Sequence, residues 1–233
     1  MLRTTNPWHR EAALAVVCAL IVVASAAEKK SLPTVQKAIP AKTPAAPRNA
    51  DAQKLHAEAL TFFQKGDIER ALTGFQSVLE LEPDNVPVLI NLALVQQRLK
   101  RFSDAEQHLF RIIRGDPKSG AAWLILGIAA YEQDKLDAAH AHLAQAILHA
   151  PRNAQAHQYL GVVLGRKGWY SAGEEELRRA IEINPEFADA HYNLAVLYME
   201  RIPPASELAR RHYTRSLECG APPDPVLAKK LDR

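Results

Sequence analysis

Four prolines, Pro83, Pro117, Pro151 and Pro185, stand 34 residues apart. A fixed period of this size constrains the fold more than any other feature, because it implies one supersecondary unit used repeatedly. Counting back from each proline gives aligned columns. Five residues before stand Val78, Ile112, Ala146 and Ala180; eight before, Phe75, Leu109, Leu143 and Leu177. Twelve before stand Ala71, Ala105, Ala139 and Gly173; twenty-four before, Ala59, Ala93, Gly127 and Gly161.

Within one period the apolar residues fall at helical spacing twice. Ala121, Leu124, Ile128 and Tyr131 form one stripe and Leu136, Ala139, Leu143 and Ile147 another, with the polar break Gln133-Asp134-Lys135 between them. Two helices of about 14 residues and a short turn therefore fit each unit. Asp51, Asn85, Ser119 and Asn153 stand where N-caps belong, and Gly66 and Gly168 where a left-handed residue ends a helix. Gly127 with Ala139, and Gly161 with Gly173, are expected to oppose each other where paired helices approach closely. The larger columns fill the space between pairs, and no pair buries both faces alone.

These columns resemble the tetratricopeptide repeat, which takes small residues at repeat positions 8 and 20, an aromatic or aliphatic residue at 24, a small or apolar one at 27 and proline at 32. The resemblance runs from residue 52 to about 221 and implies an all-α, right-handed superhelical solenoid. Its five repeats are 52–85, 86–119, 120–153, 154–187 and an irregular 188–221. Repeat one carries Glu58 where the others have leucine, which the first unit tolerates. In the fifth, Arg201-Ile202-Pro203-Pro204-Ala205 replaces the usual turn, and Ala209, Tyr213 and Ser216 resume the register after a two-residue insertion. Asp224-Pro225 then reads as an N-cap and first-turn proline, so a short helix within 222–233 would cover the last pair with Val226, Leu227 and Leu231.

Ahead of the repeats, Arg3, His9 and Arg10 precede an apolar run, Ala12 to Ala27, that ends in small residues. This is the pattern of a secretory signal peptide, with an uncleaved signal anchor, attached to the membrane through residues 12–27, as its rival. Residues 28–50 hold four prolines and no helical or strand period, which reads as a disordered Pro/Ala/Lys tether. Export is what the leader implies, and its shortness with the Ala/Pro tether reads as a bacterial periplasm, or as inner-membrane anchoring facing the same compartment if the leader is retained.

Basic and acidic residues interleave, and only 6% of residues are aromatic, so no nucleic-acid surface is indicated. Cys219 is the one cysteine outside the leader, too few for a disulfide framework or a cysteine-based metal site. His140 and His142, two apart, point to different sides of a helix and read as helix histidines. Glu174-Glu175-Glu176 reads as a solvated face with local ion pairs, Trp123 as core, and Trp169 as the residue opening a second helix. No phosphate loop, zinc motif or catalytic constellation is found, so the chain reads as non-catalytic, without cofactor or metal.

What the resemblance implies instead is binding of other proteins or peptides in a concave groove lined by first helices. Carried onto this chain, the lining is Ile90, Asn91 and Leu94; Leu124, Ile128 and Tyr131; Gln158, Tyr159 and Val162; and Tyr192, Asn193, Val196 and Met199. Such an apolar, tyrosine-bearing lining suits a partner's amphipathic helix or extended segment. The family's clamp for a terminal carboxylate would fall on His56, Leu60, Asn91, Ala121 and Ile125, of which only Asn91 matches. The reading is a protein-interaction scaffold of the cell envelope; the alternative is a membrane-anchored assembly factor for an outer-membrane or pilus complex.

Overall fold

Helix-forming stripes separated by polar breaks become helical hairpins wherever each half of the period can be capped and stopped. The structure, a computed structural model, describes residues 49–232, and among them eleven α-helices and no strand occur. They fall into two compact units, 49–152 and 153–232. The first holds α1 (Ala50–Gln64), α2 (Ile68–Leu81), α3 (Val86–Arg98), α4 (Phe102–Gly115), α5 (Gly120–Glu132) and α6 (Leu136–His149). The second holds α7 (Ala154–Arg166), α8 (Tyr170–Ile183), α9 (Ala188–Glu200), α10 (Ser206–Glu218) and α11 (Pro225–Leu231). The expected leader and most of the expected tether lie outside the described residues.

Caps show where the local chemistry acts. Asn85 Oδ1 accepts from Val88 N at 3.2 Å and Asn153 Oδ1 from Ala156 N at 3.1 Å. Two expected caps differ. Asp51 lies inside the first turn of α1, and Asn49 is the cap, accepting from Asp51 N at 2.8 Å. Its own N–H is held by Glu82 Oε1 at 2.9 Å, which fixes the earlier start. Ser119 occupies the N-cap position of α5 without a side-chain cap bond.

The turn inside each hairpin reverses the chain through one left-handed residue. Gly66 and Gly168 take φ +77° and +81° as their residue type predicts, but Lys100 and Asp134 occupy the equivalent places with φ 57° and 62°. A non-glycine residue there costs roughly 1 kcal/mol or more. Lys100→Gly is therefore expected to stabilise the first unit by about 1 kcal/mol, read as a higher urea midpoint at unchanged slope.

In the first unit one core cluster gathers Phe75, Val78, Val88 and Leu92, and a second gathers Leu89, Leu109, Ile112 and Leu126. Glu58 is exposed. Trp123 is half-buried; its Nε1–H donates to Pro117 O at 2.9 Å and its ring lies 5.6 Å from that of His142. The glycine columns mark real close approach. A Cβ on Gly127 would stand 2.6 Å from Leu143 Cγ, so its nearest neighbour is Leu143, one turn beyond Ala139 on α6.

In the second unit Leu177, Leu194, Tyr198, Ala209, Tyr213, Leu227 and Leu231 share a core. Gly161 and Gly173 do face each other: a Cβ on either would come within 2.9 Å of the other's carbonyl oxygen. Asp224 caps α11 through Val226 N at 2.8 Å and Leu227 N at 3.1 Å. Leu227 and Leu231 cover the last pair, whereas Val226 is 50% exposed and takes no part in the cover. A seven-residue helix turns only one stripe inward, and the i, i+4 pair 227/231 uses it.

Candidate functional site

The first helix of each hairpin carries the residues expected to line a groove. On α3 these are Ile90, Asn91 and Leu94, and on α5 Leu124, Ile128 and Tyr131. Ile90, Leu124 and Tyr131 are under a tenth exposed, so packing consumes most of their surface. Asn91, Leu94 and Ile128 remain half-buried. Asn91 Nδ2 lies 3.2 Å from His56 Nε2 on α1, and burial lowers the His56 pKa, so the imidazole is the neutral acceptor of that bond.

In the second unit the corresponding residues are Gln158, Tyr159 and Val162 on α7, and Tyr192, Asn193, Val196 and Met199 on α9. Gln158 and Tyr159 are 2% and 4% exposed. Val162, Tyr192, Asn193, Val196 and Met199 are half-buried, and Tyr192, Val196 and Met199 pack with one side against the core. The surface still open to a ligand in this unit is therefore mainly the face of α9, bordered by Val162.

Tyr192 spends its hydroxyl inside the chain. It donates to Asp224 Oδ2 at 2.7 Å, while Tyr213 OH donates to Asp224 O at 3.0 Å and accepts from Asp224 N at 2.8 Å. Burial, with Asp224 second, pushes the Tyr192 phenol up, so it stays a neutral donor. Two tyrosines from α9 and α10 thus hold the start of α11 beside the α9 face. That arrangement was not read from the sequence, because a tyrosine 32 residues from an aspartate carries no local signal.

A second polar system lies behind this face. Glu174 on α8 accepts from Tyr198 OH at 2.8 Å and from Arg201 at 2.8 Å, and pairs with Arg178 at 2.9 Å. Glu176 lies 2.6 Å from His157 Nδ1 on α7. The acidic run expected to be a solvated face is thus a correction: two of its three residues bind across helices, and only Glu175 is exposed. Trp169 occupies the N-cap position of α8 and is 50% exposed, its ring 4.3 Å from Lys167 Nζ.

His191 on α9 and His212 on α10 meet with Nδ1 atoms 3.0 Å apart, and His191 Nε2 lies 3.2 Å from Pro185 O. A carbonyl only accepts, so His191 carries its proton on Nε2, and His212 Nδ1–H donates to His191 Nδ1. Burial first, then the neighbouring His191 and Arg211, lower His212 from 6.5 to about 4. Burial lowers His191 too. Between those pH values the unfolded chain binds protons that the folded chain refuses, so stability is complete above pH 6.5 and falls as pH drops toward 4. Urea midpoints measured from about pH 7.5 to 4.5 are expected to fall, and to fall less steeply for His212→Gln.

Comparison with known proteins bears on the fold. The model of the tetratricopeptide repeat protein 21 C-terminal ARM domain matches residues 34–205. A crystal structure of MamA is 27% identical, covers 69% of this chain and 93% of that one, and superposes with a TM-score of 0.58. A thermophilic TPR protein of Thermus thermophilus is 22% identical over 78% of this chain and 97% of that one, TM-score 0.64, and shows the shared fold. The CTR9 homolog of Arabidopsis thaliana is 38% identical over 74 residues, which is 31% of this chain and 7% of that protein. The chain thus spans less than a tenth of that curated relative. The all-α, tetratricopeptide solenoid class read from the sequence is the class these structures share.

Proposed function

This chain belongs to the family of the tetratricopeptide repeat protein 21 C-terminal ARM domain, and we propose from that premise that it binds a segment of another protein on a first-helix face within a unit. A repeat scaffold of this type is typically a protein-interaction module. The observation that carries the finer reading is the α9 face. Tyr192, Asn193, Val196 and Met199 lie close together on one stripe of the helix, and none of them belongs to the fully buried core. A half-open stripe with apolar and amide character suits one face of an amphipathic helix or an extended segment. We assign the same role to the open residues of α3 and α5, namely Asn91, Leu94 and Ile128. The chain acts without chemistry of its own in this reading.

The setting we propose is the cell envelope, in a bacterial periplasm. Its support is the pattern of basic residues, apolar run and small residues over 1–27. If residues 12–27 are kept, the same scaffold becomes a membrane-anchored assembly factor. Sequencing the N-terminus of the exported protein decides between them: a start near Ala27 or Glu28 removes the anchored form.

The binding reading is tested by selecting a phage-displayed random peptide library on the immobilised full chain, then measuring the enriched peptides against Val196→Glu. Enrichment of peptides with apolar anchors, and loss of their binding in a variant whose circular dichroism is unchanged, is expected. Peptides indifferent to Val196→Glu would place recognition elsewhere.

A further inference from the structure

Where α1 and α3 end together in the first unit, one cation lies without a counter-ion. Arg98, in the last turn of α3, lays its guanidinium over the ring of Phe63 at the end of α1, 4.0 Å from the ring centroid. Phe63 is itself fixed, edge-on to the fully buried Phe75 with ring centroids 6.4 Å apart. Stacking uses the face of the guanidinium and leaves the N–H groups along its edge free to donate. Among the described residues Arg98 makes no hydrogen bond or ion pair, and burial lowers its pKa with no carboxylate acting on it. The residue remains exposed, so an incoming anion reaches it.

The ordinary partners of such an arginine are engaged elsewhere. The last carbonyls of α1, on Thr61, Phe62 and Phe63, accept from Lys65, Asp67 and Gly66 N–H, and those of α3, on Val95, Gln96 and Gln97, from Leu99, Arg101 and Lys100 N–H. Arg98 is therefore not their cap. Asp67, in the turn after α1, is held by Arg70, and Glu132 at the end of α5 acts on Lys100. Lys65, Lys100 and Arg101, all exposed, make both turns cationic. Along α3, Asn91, Leu94 and Arg98 share one stripe at i, i+3 and i+7, so the cation continues the half-buried residues expected to line a groove.

We propose that Arg98 receives the side-chain carboxylate of an aspartate or glutamate in a partner protein segment, while Leu94, one turn away, takes an apolar side chain of the same segment. Guanidinium and carboxylate are planar and match as bidentate partners. Lys65, Lys100 and Arg101 add a field that draws acidic segments toward this end of the unit. This rests on the binding reading above and deepens it by naming the charge of the partner on the α3 face. Arg98 is not among the places of the terminal-carboxylate clamp, His56, Leu60, Asn91, Ala121 and Ile125, and the residue it binds is internal to the segment.

The probe is the set of peptides that the random library enriches on the full chain and that lose binding to Leu94→Gln. The expected result is an excess of aspartate or glutamate at a fixed spacing from an apolar anchor. For one such peptide made synthetically with an amidated C-terminus, changing its acidic residue to glutamine should weaken binding about tenfold, since a charge-assisted bond is at stake. Arg98→Gln, in a chain of unchanged circular dichroism, should do the same, and the two changes together should weaken binding no further than either alone. Arg98→Glu should prefer the peptide with lysine in that place. Peptides sensitive to Leu94→Gln without an acidic excess, an acidic peptide insensitive to Arg98→Gln, or one that binds only with a free C-terminal acid would overturn this inference and leave the binding reading standing. So would peptides sensitive to Val196→Glu alone. No enrichment, or enrichment indifferent to both Leu94→Gln and Val196→Glu, would overturn both.

Discussion

Tyr198→Ala is expected to lower the stability of the second unit by about 3–5 kcal/mol, the range for deleting a fully buried aromatic ring. Tyr198 is 0% exposed and heads the largest fully buried side chains. Its ring sits between α9 and α10, 5.8 Å from that of His212, inside the cluster with Leu177, Leu194 and Tyr213. Its hydroxyl donates to Glu174 Oε1 at 2.8 Å and accepts from Arg178 at 3.1 Å. Alanine removes the ring, leaves a cavity and unties Glu174 from α9. Tyr198→Phe separates the two contributions. Glu174 keeps Arg178 and Arg201, so losing the hydroxyl alone should cost about 1 kcal/mol. Urea unfolding followed by circular dichroism reads both, and equal losses for the two variants would mean that the polar bond, and not the ring, holds this hairpin.

Gly161→Ala should also destabilise, by about 1–3 kcal/mol, although alanine is the better helix former by about 1 kcal/mol. The sign is decided by what the new methyl meets. An ideal Cβ on Gly161 falls 2.6 Å from Leu177 Cγ, 2.9 Å from Gly173 O and 3.1 Å from Leu177 N. Two of these are backbone atoms, which cannot rotate away as a side-chain tip can, so α7 and α8 must separate. Gly115→Ala is the control: at the end of α4 a Cβ there has nothing within 4 Å, and propensity alone should make the change neutral or mildly stabilising. A stabilising Gly161→Ala would mean that the two helices do not approach at this column.

The sequence carried the helices because each is written locally and repeated in step. Asn85, Asn153 and Asp224 cap where an oxygen-bearing side chain stands before an apolar stripe. Asn49 escaped because Asp51, two residues on, offers the same chemistry, and what selects between them is the bond from Asn49 N to Glu82, 33 residues away. Lys100 and Asp134 escaped for a related reason. Glycine advertises a left-handed turn, but there the repeat geometry imposes the turn on residues that do not prefer it.

The candidate site was legible in register and not in exposure. Counting positions placed Tyr192, Asn193, Val196 and Met199 on one stripe of α9. Counting could not tell that Gln158 and Tyr159, in the same columns of α7, are almost wholly buried, because burial depends on what packs above each helix. Nor could it find the roles of Glu174 and Glu176. Arg178 lies four residues from Glu174 and is a local signal, but Tyr198, Arg201 and His157 come from other helices or the loop after α9. Charge on a helix reads as solvated until the neighbour that binds it is in place.

Photo-crosslinking tests binding on the first-helix face most directly. With benzoylphenylalanine at position 196 on α9, a library-selected peptide should become covalently attached on irradiation. With the same probe at position 175, on the exposed side of α8, it should not. Capture from position 175 and not from 196 would contradict the account, because recognition would then use the second helices.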